Sequence, residues 1–543
     1  MMHKNQSVDT HQFAMVPRAD IPRASFNIQR AYKTTFDAGK LIPILCEEVL
    51  PGDSFSVSMT AFARLATPIF PIMDNLHLDS FFFFVPNRLV WSNWVKFMGE
   101  QKDISDSISY VIPQCVSPAT GFGVGSVFDY FGLPTVGQVF GSNTVSVNAL
   151  PLRAYNLIYN EWFRDENLAN ANTVSTGDGP DASTLYGLNT RGKRHDYFTS
   201  CLPWPQKGGT AVSIPLGISA PIRTANTDVT TGSWPGMTMR DTAGTAVSGS
   251  FALGTNGPSL TKTTLGITPS GNALYPANLF ADLTSATAAT INQLRQSFQI
   301  QKLLERDARG GTRYTEIIRS HFGVISPDAR LQRPEYLGGG SSPIIINPIA
   351  QTSATGLTGG ATPVGTLAAV GTTIANNHGF TQSFTEHGYI IGLVNVRADL
   401  TYQQGLRKLW SRSTRYDFYF PAFAMLGEQA VLNKEIYADG SANDNNVFGY
   451  QERWAEYRYS PSQITGLFRS TTAGTLDAWH LAQKFTSLPV LNQTFIQESP
   501  PLSRVLAVGA GANGAQLIFD SFFNIRAARP MPLYSVPGLI DHF

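Results

Sequence analysis

The feature that most constrains this chain is the absence of charged residues from two long stretches. From Tyr336 to Thr385, fifty consecutive residues contain no Asp, Glu, Lys or Arg. The 83 residues from Gly208 to Thr290 contain only six charged side chains, namely Arg223, Asp228, Arg240, Asp241, Lys262 and Asp282. Both stretches are rich in Gly, Thr, Ser, Ala and Asn, whereas the flanking segments are dense in aromatic residues, Arg and Asp. This alternation predicts one large patterned scaffold with long inserted loops, and not a row of separate domains.

The overall composition favours β-structure. Of the 543 residues, 43% are hydrophobic and 11% are aromatic, which is ample for a substantial core. Only 15% are charged, against about a quarter in an average globular protein. Low charge combined with many Gly, Pro, Thr and aromatic residues is typical of strands and extended loops. The net charge of +1 excludes nucleic-acid binding through the overall charge, so any such contact needs a local basic patch.

The cysteines and the apolar runs indicate a soluble protein made in the cytosol. Cys46, Cys115 and Cys201 are odd in number, lie far apart and form no CxxC pair, so they predict reduced, largely buried thiols. No apolar signal region follows the N-terminal residues. The most hydrophobic stretch, Phe81–Val85, is stopped by Pro86, far short of the ~20 residues that span a bilayer.

Strand patterns occur near both ends of the chain, and helices are few. Apolar and polar residues alternate in Phe55–Thr60, Leu76–Asp79 and Leu517–Ile525, and Tyr389–Val396 is a β-branched and aromatic run of strand length. Apolar residues at helical spacing predict three helices: Arg153–Leu168, Ile291–Arg309 and Tyr314–Phe322. Strands so far apart in sequence must pair if one core exists, which favours a β-sandwich of Greek-key type with large insertions.

Motifs that would indicate catalysis or metal binding are weak. Gly187–Arg194 nearly matches a phosphate-binding loop, but Arg194 replaces the Ser or Thr that would hold magnesium, so a basic surface turn is predicted instead. The nine histidines show no metal-ligand spacing. One enzyme alternative is a β-sandwich glycosidase, whose acid and base would come from paired carboxylates. The candidates for such a pair are Glu47, Glu48, Glu161, Asp165, Glu166 and Asp417.

Two segments combine basic and aromatic side chains. Arg397–Arg415 has five basic residues against the single acidic Asp399, and Arg453–Tyr459 is similar. Planar guanidinium groups and flat rings suit protein interfaces and internal packing, and they also suit stacking with single-stranded nucleic acid. If these segments line an inner wall against DNA, the residues that face it are Arg407, Lys408, Trp410, Arg412, Arg415, Arg453, Trp454 and Arg458.

Several ordered blocks carry a resemblance to a known family. They read PRADIPR at 17–23, KTTFDAG at 33–39, RLATP at 64–68, FFFFVP at 81–86, GKRHDYF at 192–198, LERDARGGTRY at 304–314, LQRPEY at 331–336, RADLTYQQG at 397–405 and VPGLIDHF at 536–543. On these blocks the chain resembles the major capsid proteins of the Microviridae, specifically the gokushovirus branch. The resemblance covers roughly residues 13–205 and 295–543, and the two charge-poor stretches match much more weakly.

The resemblance implies a mainly β fold, a single eight-stranded viral jelly roll over residues 1–543 with long inter-strand loops and a few short helices. It implies a structural protein with no catalytic site, cofactor or metal, assembled in the host cytoplasm into a T=1 virion capsid of sixty copies. Packaged circular single-stranded DNA, a small basic DNA-binding virion protein and a bacterial receptor are the implied partners.

The two charge-poor stretches take different roles under this resemblance. Residues 208–290 are expected to project from the surface, either for host attachment, with Trp234 as the candidate contact, or as a surface decoration or an assembly contact. Residues 336–385 are expected to form a long uncharged loop laid along a neighbouring subunit, where low charge suits burial on assembly.

Overall fold

The computed structural model describes most of the chain outside the first stretch of low charge. The described residues are 22–100, 103–106, 108–208, 222–224, 239–241, 253–256, 259–262, 274–276, 279–281, 291–310, 316, 320–321, 332–352, 364–507 and 514–534. No helix among them is both long and apolar enough to cross a membrane.

Eight long strands form one antiparallel sheet. In chain order they are β1 (Ala24–Phe36), β2 (Ile42–Val49), β3 (Ser54–Leu65), β4 (Leu76–Pro86), β5 (Glu335–Ala350), β6 (Leu367–Ser383), β7 (Gly388–Ala398) and β8 (Leu517–Arg529). Their order across the sheet is β1-β8-β3-β6-β5-β4-β7-β2. The first strand pairs with the last, the second with the seventh, the third with the sixth and the fourth with the fifth. This nested pairing is that of a jelly roll, so the predicted fold is confirmed.

The β5–β6 hairpin joins the two halves of the jelly roll. The first half of β5 pairs with β4 and its second half pairs with β6, so one strand belongs to both halves. A bulge between Tyr336 and Gly338 marks the first half. At Gly339, where φ is +159°, an added Cβ would lie 2.0 Å from the Ser80 carbonyl oxygen, so only glycine fits this close approach.

The expectation of a long loop over residues 336–385 is wrong, because the described part of this stretch is mainly β5 and β6. The small residues Ala369, Gly371 and Ala375 of β6 are buried, and large neighbours leave no room for bigger side chains. A Cβ on Gly371 would lie 2.9 Å from the Leu65 Cβ. The low charge therefore reflects small residues in a sheet that packs against large neighbours.

β4 and β7 are buried on both faces, which explains their continuous apolar sequences. On one face, Phe82 and Ile390 belong to the core between the two halves of the jelly roll. On the other face, Phe83 and Ile391 belong to a second core under helix α1 (Leu150–Ile158). A third core lies in the long connections, with Phe198 from the connection between β4 and β5, and Val431 and Phe448 from the connection between β7 and β8.

Apart from one helix of 20 residues, Ile291–Gly310, the remaining elements are short. The helices are α1, continued by a π-helical turn Tyr159–Phe163, α2 (Ile291–Gly310), Asn87–Val90, Trp94–Phe97, Val127–Tyr130, Asn433–Ile436 and Gln493–Ile496. The 3-10 turns are Ser183–Leu185, Lys408–Ser411, Arg415–Asp417, Pro421–Phe423, Ala442–Asn445, Ala455–Tyr457, Gly466–Phe468, Asp477–Trp479 and Leu502–Arg504. Two small sheets consist of Gln114–Val116 with Ser146–Asn148 and Asp181–Ala182, and of Glu428–Leu432 with Val447–Glu452.

The three predicted helices have different outcomes. α2 matches the prediction to within one residue. The predicted Arg153–Leu168 helix begins at Leu150, and its final turn ends at Phe163. Most of Tyr314–Phe322 lies outside the described residues.

The chain divides into two compact units, Gln206–Arg309 and the remainder. The predicted insertion 208–290 falls within the smaller unit. The strand pairs described in that unit are Ile222–Thr224 with Leu279–Ala281, Met239–Asp241 with Leu274–Pro276, and Leu253–Asn256 with Ser259–Lys262. Trp234 lies outside the described residues.

Candidate assembly and nucleic-acid surface

The two basic and aromatic segments come together around the third core. A hairpin of Glu428–Leu432 and Val447–Glu452 supports them. The Tyr197 hydroxyl donates to Glu435 Oε2 at 2.9 Å and so ties the hairpin to the segment before the insertion. An added Cβ on Gly405 would lie 2.0 Å from the Glu435 carbonyl oxygen, which fixes the approach of the first segment.

Carboxylates inside the same region pair with three of its eight basic residues. Residues 397–459 contain eight Lys or Arg and eight Asp or Glu side chains. Lys408 pairs with Glu435 at 3.4 Å, and Arg412 pairs with Glu456 at 3.2 Å. Arg458 pairs with Glu452, also at 3.2 Å. The region is therefore electrically balanced, which is unlike the basic patch that dominates DNA binding.

Aromatic rings of the chain itself cover several of the guanidinium groups. Arg412 lies 4.4 Å from the centroid of Tyr457, Arg415 lies 5.3 Å from that of Phe420, and Arg453 lies 4.7 Å from that of Trp454. Such cation–π contacts hold each guanidinium in place and use one of its two faces.

The two tryptophans among the predicted DNA-facing residues differ in exposure. Trp454 is 6% exposed, and its indole N–H donates to the Phe423 carbonyl oxygen at 3.0 Å. The Trp454 ring offers no open face to a base, so the folded subunit does not support its place among the predicted DNA-facing residues. Trp410 is 72% exposed, and Arg407 and Arg415 are exposed as well.

Residues 406–426, here called the aromatic loop, expose an unusual number of large apolar side chains. These are Leu406, Leu409, Trp410, Tyr416, Phe418, Tyr419, Phe420, Met425 and Leu426. Met425, at 95% exposed, stands almost free of its own subunit. Clusters of this kind mark protein interfaces, where aromatic residues, Met and Arg are enriched. Sequence reasoning missed residues 416–426, although the run YDFYFPAF at 416–423 lacks the alternation of a strand and was a usable signal.

The candidates for catalysis have ordinary structural partners. Glu47 pairs with Arg30 at 3.0 Å, and Asp417 accepts backbone N–H groups of its own turn from Ser413 and Thr414. In the near phosphate loop, the N–H of Arg191 donates to Gly39 and that of Lys193 donates to Ile496, both at 2.8 Å. Those N–H groups are therefore not free to cradle a phosphate in the manner of that motif.

The cysteines are poor nucleophiles, because a thiol reacts as its thiolate. Cys115 and Cys201 are buried and Cys46 is half-buried, and all three are free. Burial raises the pKa of Cys46 to about 12 and that of Cys115 to about 11. In the part of the chain that the structure describes, no three His, Cys, Asp or Glu side chains are grouped to hold a metal ion.

Comparison with known proteins identifies the family of this chain. The family model of the capsid protein (F protein) matches residues 14–539. The chain belongs to this capsid protein family. It is 50% identical to the capsid protein VP1 of Bdellovibrio phage phiMH2K over 98% of both chains. Capsid proteins VP1 of Chlamydia phage 1 and Spiroplasma virus 4 are 43% and 39% identical, over 99% and 97% of both chains respectively.

Membership in the family agrees with the resemblance seen in the sequence blocks. The chain is a structural capsid protein and not an enzyme, and its place is the virion capsid. The glycosidase alternative is thereby excluded. A capsid protein works through its contacts with other copies, so the exposed aromatic loop becomes the leading candidate for a functional surface.

A buried ion network joins the near phosphate loop to the jelly roll. Asp79 Oδ2 accepts from Arg191 at 2.5 Å and from Arg397 at 3.2 Å. Glu498 lies beside Lys193, Arg397 and Arg191 and accepts the N–H of Ala398 at 3.4 Å. Burial raises the pKa of the Glu498 carboxyl to about 7, although these cations and the N–H lower it in part.

This elevated pKa predicts a measurable dependence of stability on pH. The pKa of Glu498 is higher in the folded subunit than in the unfolded chain, so the folded subunit binds more protons between about pH 4.5 and 7. Protonated Glu498 therefore contributes stability at low pH, and this contribution is lost as the pH rises through that range. We expect Glu498→Gln to gain stability relative to the parent on going from pH 5 to pH 8. Urea unfolding of both proteins at the two pH values measures this, and identical pH dependence in both would contradict it.

Proposed function

We propose that sixty copies of this chain assemble in the cytoplasm of a bacterial host into a T=1 icosahedral shell that encloses circular single-stranded DNA. The observation that carries the proposal is the aromatic loop, whose apolar side chains are exposed in the isolated subunit. A subunit of a closed shell buries wide surfaces against several neighbours, and such side chains gain most from that burial.

The electrostatics of the chain support the same proposal. The net charge of +1 limits repulsion among many copies in one shell. The balanced charge of residues 397–459 fits a contact between subunits better than a contact with DNA. A small basic virion protein therefore supplies most of the charge that the packaged genome requires.

We also propose a weaker contact with DNA by the exposed members of the predicted DNA-facing residues. Arg407, Trp410 and Arg415 offer two charges and one ring face on the same loop. Lys408, Arg412, Arg453 and Arg458 have partners within the subunit, so they contribute less. Ultraviolet crosslinking of packaged DNA, followed by mapping of the adducts, tests this assignment, and adducts confined to other segments would rule it out.

Assembly is tested by producing the chain together with the other virion components. We expect electron microscopy to show particles of T=1 symmetry, and nuclease treatment to leave a protected circular single-stranded DNA inside them. A chain that stays monomeric under every condition, with all virion components present, would contradict the proposal.

We also propose that residues 208–290 project from the shell and bind a bacterial receptor. Their position within a separate compact unit supports this role, since such a unit can vary without disturbing the jelly roll. Deleting 208–290 is expected to leave particles intact and to abolish adsorption to host cells. Trp234→Ala tests the single proposed contact, and unchanged adsorption of the deletion particles would refute the role.

A further inference from the structure

An open cavity of about 510 Å³ lies against the face of β4 that points away from the core between the two halves of the jelly roll. Its volume is within the ~300–1,000 Å³ typical of small-molecule sites. One wall is aromatic and includes Trp162 and Tyr336, and the other is cationic and includes Arg191, Arg194 and Arg397. None of these five residues belongs to the aromatic loop.

The cationic wall holds more positive charge than its carboxylates neutralise. Arg191 and Arg397 share the carboxylate of Asp79, and Arg194 pairs with Asp399 at 2.8 Å. Glu498 lies beside Arg191, Arg397 and Lys193, so four cations that line the cavity have three neighbouring carboxylates. Burial, and after it repulsion by Arg397, lower the pKa of Arg191 to about 10, although Asp79 and Glu498 raise it in part. An anion in the cavity would relieve this repulsion and could accept paired N–H donors from the guanidinium groups.

The aromatic wall has two partly exposed rings beside these cations. Trp162 is 40% exposed and Tyr336 is 43% exposed, with ring centroids 6.0 Å apart at a tilt of 43°. The indole N–H of Trp162 donates to the Pro334 carbonyl oxygen at 2.9 Å, which fixes the ring. Arg333 lies 5.2 Å from the centroid of the same ring and adds another cation at the rim.

We propose that this cavity binds one nucleotide of single-stranded DNA, with the base against Trp162 and Tyr336 and the phosphate on the guanidinium groups of Arg191, Arg194 and Arg397. Flat rings recognise any base by stacking, and arginine recognises phosphate, so the pair of walls matches both parts of a nucleotide. This assignment rests on the proposed enclosure of DNA by the shell. The cavity is then one place where the subunit contacts the packaged DNA. It differs from a phosphate-binding loop because side chains, and not backbone N–H groups, hold the phosphate.

The test measures binding of a fluorescein-labelled twelve-residue oligothymidylate to the unassembled full-length subunit by fluorescence anisotropy. We expect Tyr336→Leu, which keeps apolar volume but loses the ring face, to weaken binding about tenfold. Arg194→Gln should lower the slope of log affinity against log salt by about one. The control is Arg30→Gln, because Arg30 is 38% exposed with one ion pair of 3.0 Å and Arg194 is 37% exposed with one of 2.8 Å.

Competitors distinguish the possible occupants. Thymidine monophosphate should displace the oligonucleotide at far lower concentration than inorganic phosphate, since only the nucleotide offers a base. Equal displacement by phosphate, or better displacement by an acidic peptide, would overturn the nucleotide assignment. Unchanged binding by both cavity variants, with DNA still packaged in particles, would overturn the site and leave the proposed shell intact. Particles without any DNA would overturn both.

Discussion

Replacing Asp181 by Asn is expected to lower the free energy of unfolding of the subunit by about 3–5 kcal/mol, the usual loss when one partner of a buried ion pair is removed. The Arg153 side chain is 0% exposed and the Asp181 side chain is 3% exposed. Two hydrogen bonds of 2.7 Å join them, from Nε to Oδ2 and from Nη2 to Oδ1. The substitution leaves the shape nearly unchanged but leaves the buried guanidinium without its counter-charge.

Backbone hydrogen bonds hold the Arg153 guanidinium in its buried position, so it cannot move out to solvent. Arg153 Nη1 donates to the carbonyl oxygens of Val90 at 3.0 Å and Gly177 at 2.9 Å, so the guanidinium is held from three sides. Burial alone would raise the pKa of Asp181, but hydrogen bonds from Arg153 and Tyr186 lower it overall. The pair therefore joins α1, a helix of the second core, to the strand Asp181–Ala182. The second core covers the outer face of β4 and β7.

Urea unfolding of the unassembled subunit measures this effect, with Asp520→Asn as the matched control. Asp520 forms an ion pair with Lys33 at 2.5 Å, but the two side chains are 46% and 71% exposed. Exposed pairs of this kind contribute about 0–1 kcal/mol, because solvent screens them. Equal destabilisation by the two substitutions would show that the buried Arg153–Asp181 pair stabilises the subunit no more than the exposed Lys33–Asp520 pair.

The fold could be predicted in part because some strands show their burial in the sequence. The Phe81–Phe84 run reads as apolar throughout because both faces of β4 are covered, and Leu517–Ile525 alternates because one face of β8 is exposed. The nested pairing of strands cannot be read from such patterns, since it joins residues as distant as Ala24 and Arg529. That topology came from the resemblance of ordered blocks, and the structure then confirmed it.

The predicted loop over residues 336–385 was wrong for a physical reason. Gly- and Thr-rich composition is typical of loops, but in β6 it reflects the space left by large residues opposite, as at Gly371 beside Leu65. For Trp454 and Arg453 the sequence left internal packing and nucleic-acid stacking open, and in the folded subunit the ring is buried and the guanidinium lies over it. Composition alone does not reveal whether an aromatic residue packs inside its own subunit or outside it.

The double substitution Trp410→Ser and Met425→Ser is expected to abolish particle formation while leaving the subunit folded. The two side chains are 72% and 95% exposed, so they add little to the core of their own subunit. Buried aromatic anchors at protein interfaces each contribute about 2 kcal/mol or more, and a closed shell repeats that loss in every copy. Sedimentation and electron microscopy should therefore show free subunits where the parent gives particles.

The matched control separates loss of an interface from loss of any exposed apolar side chain. Val124 is 77% exposed in a loop remote in sequence from residues 406–426, so Val124→Ser removes apolar surface of the same kind. We expect the control to assemble normally and both proteins to unfold at the same urea concentration as the parent. Normal particles from the double variant would show that the aromatic loop is not an assembly contact, and early unfolding would show that it packs within its own subunit. Since exposure of this size is costly in water, assembly is the state in which these side chains are expected to be covered.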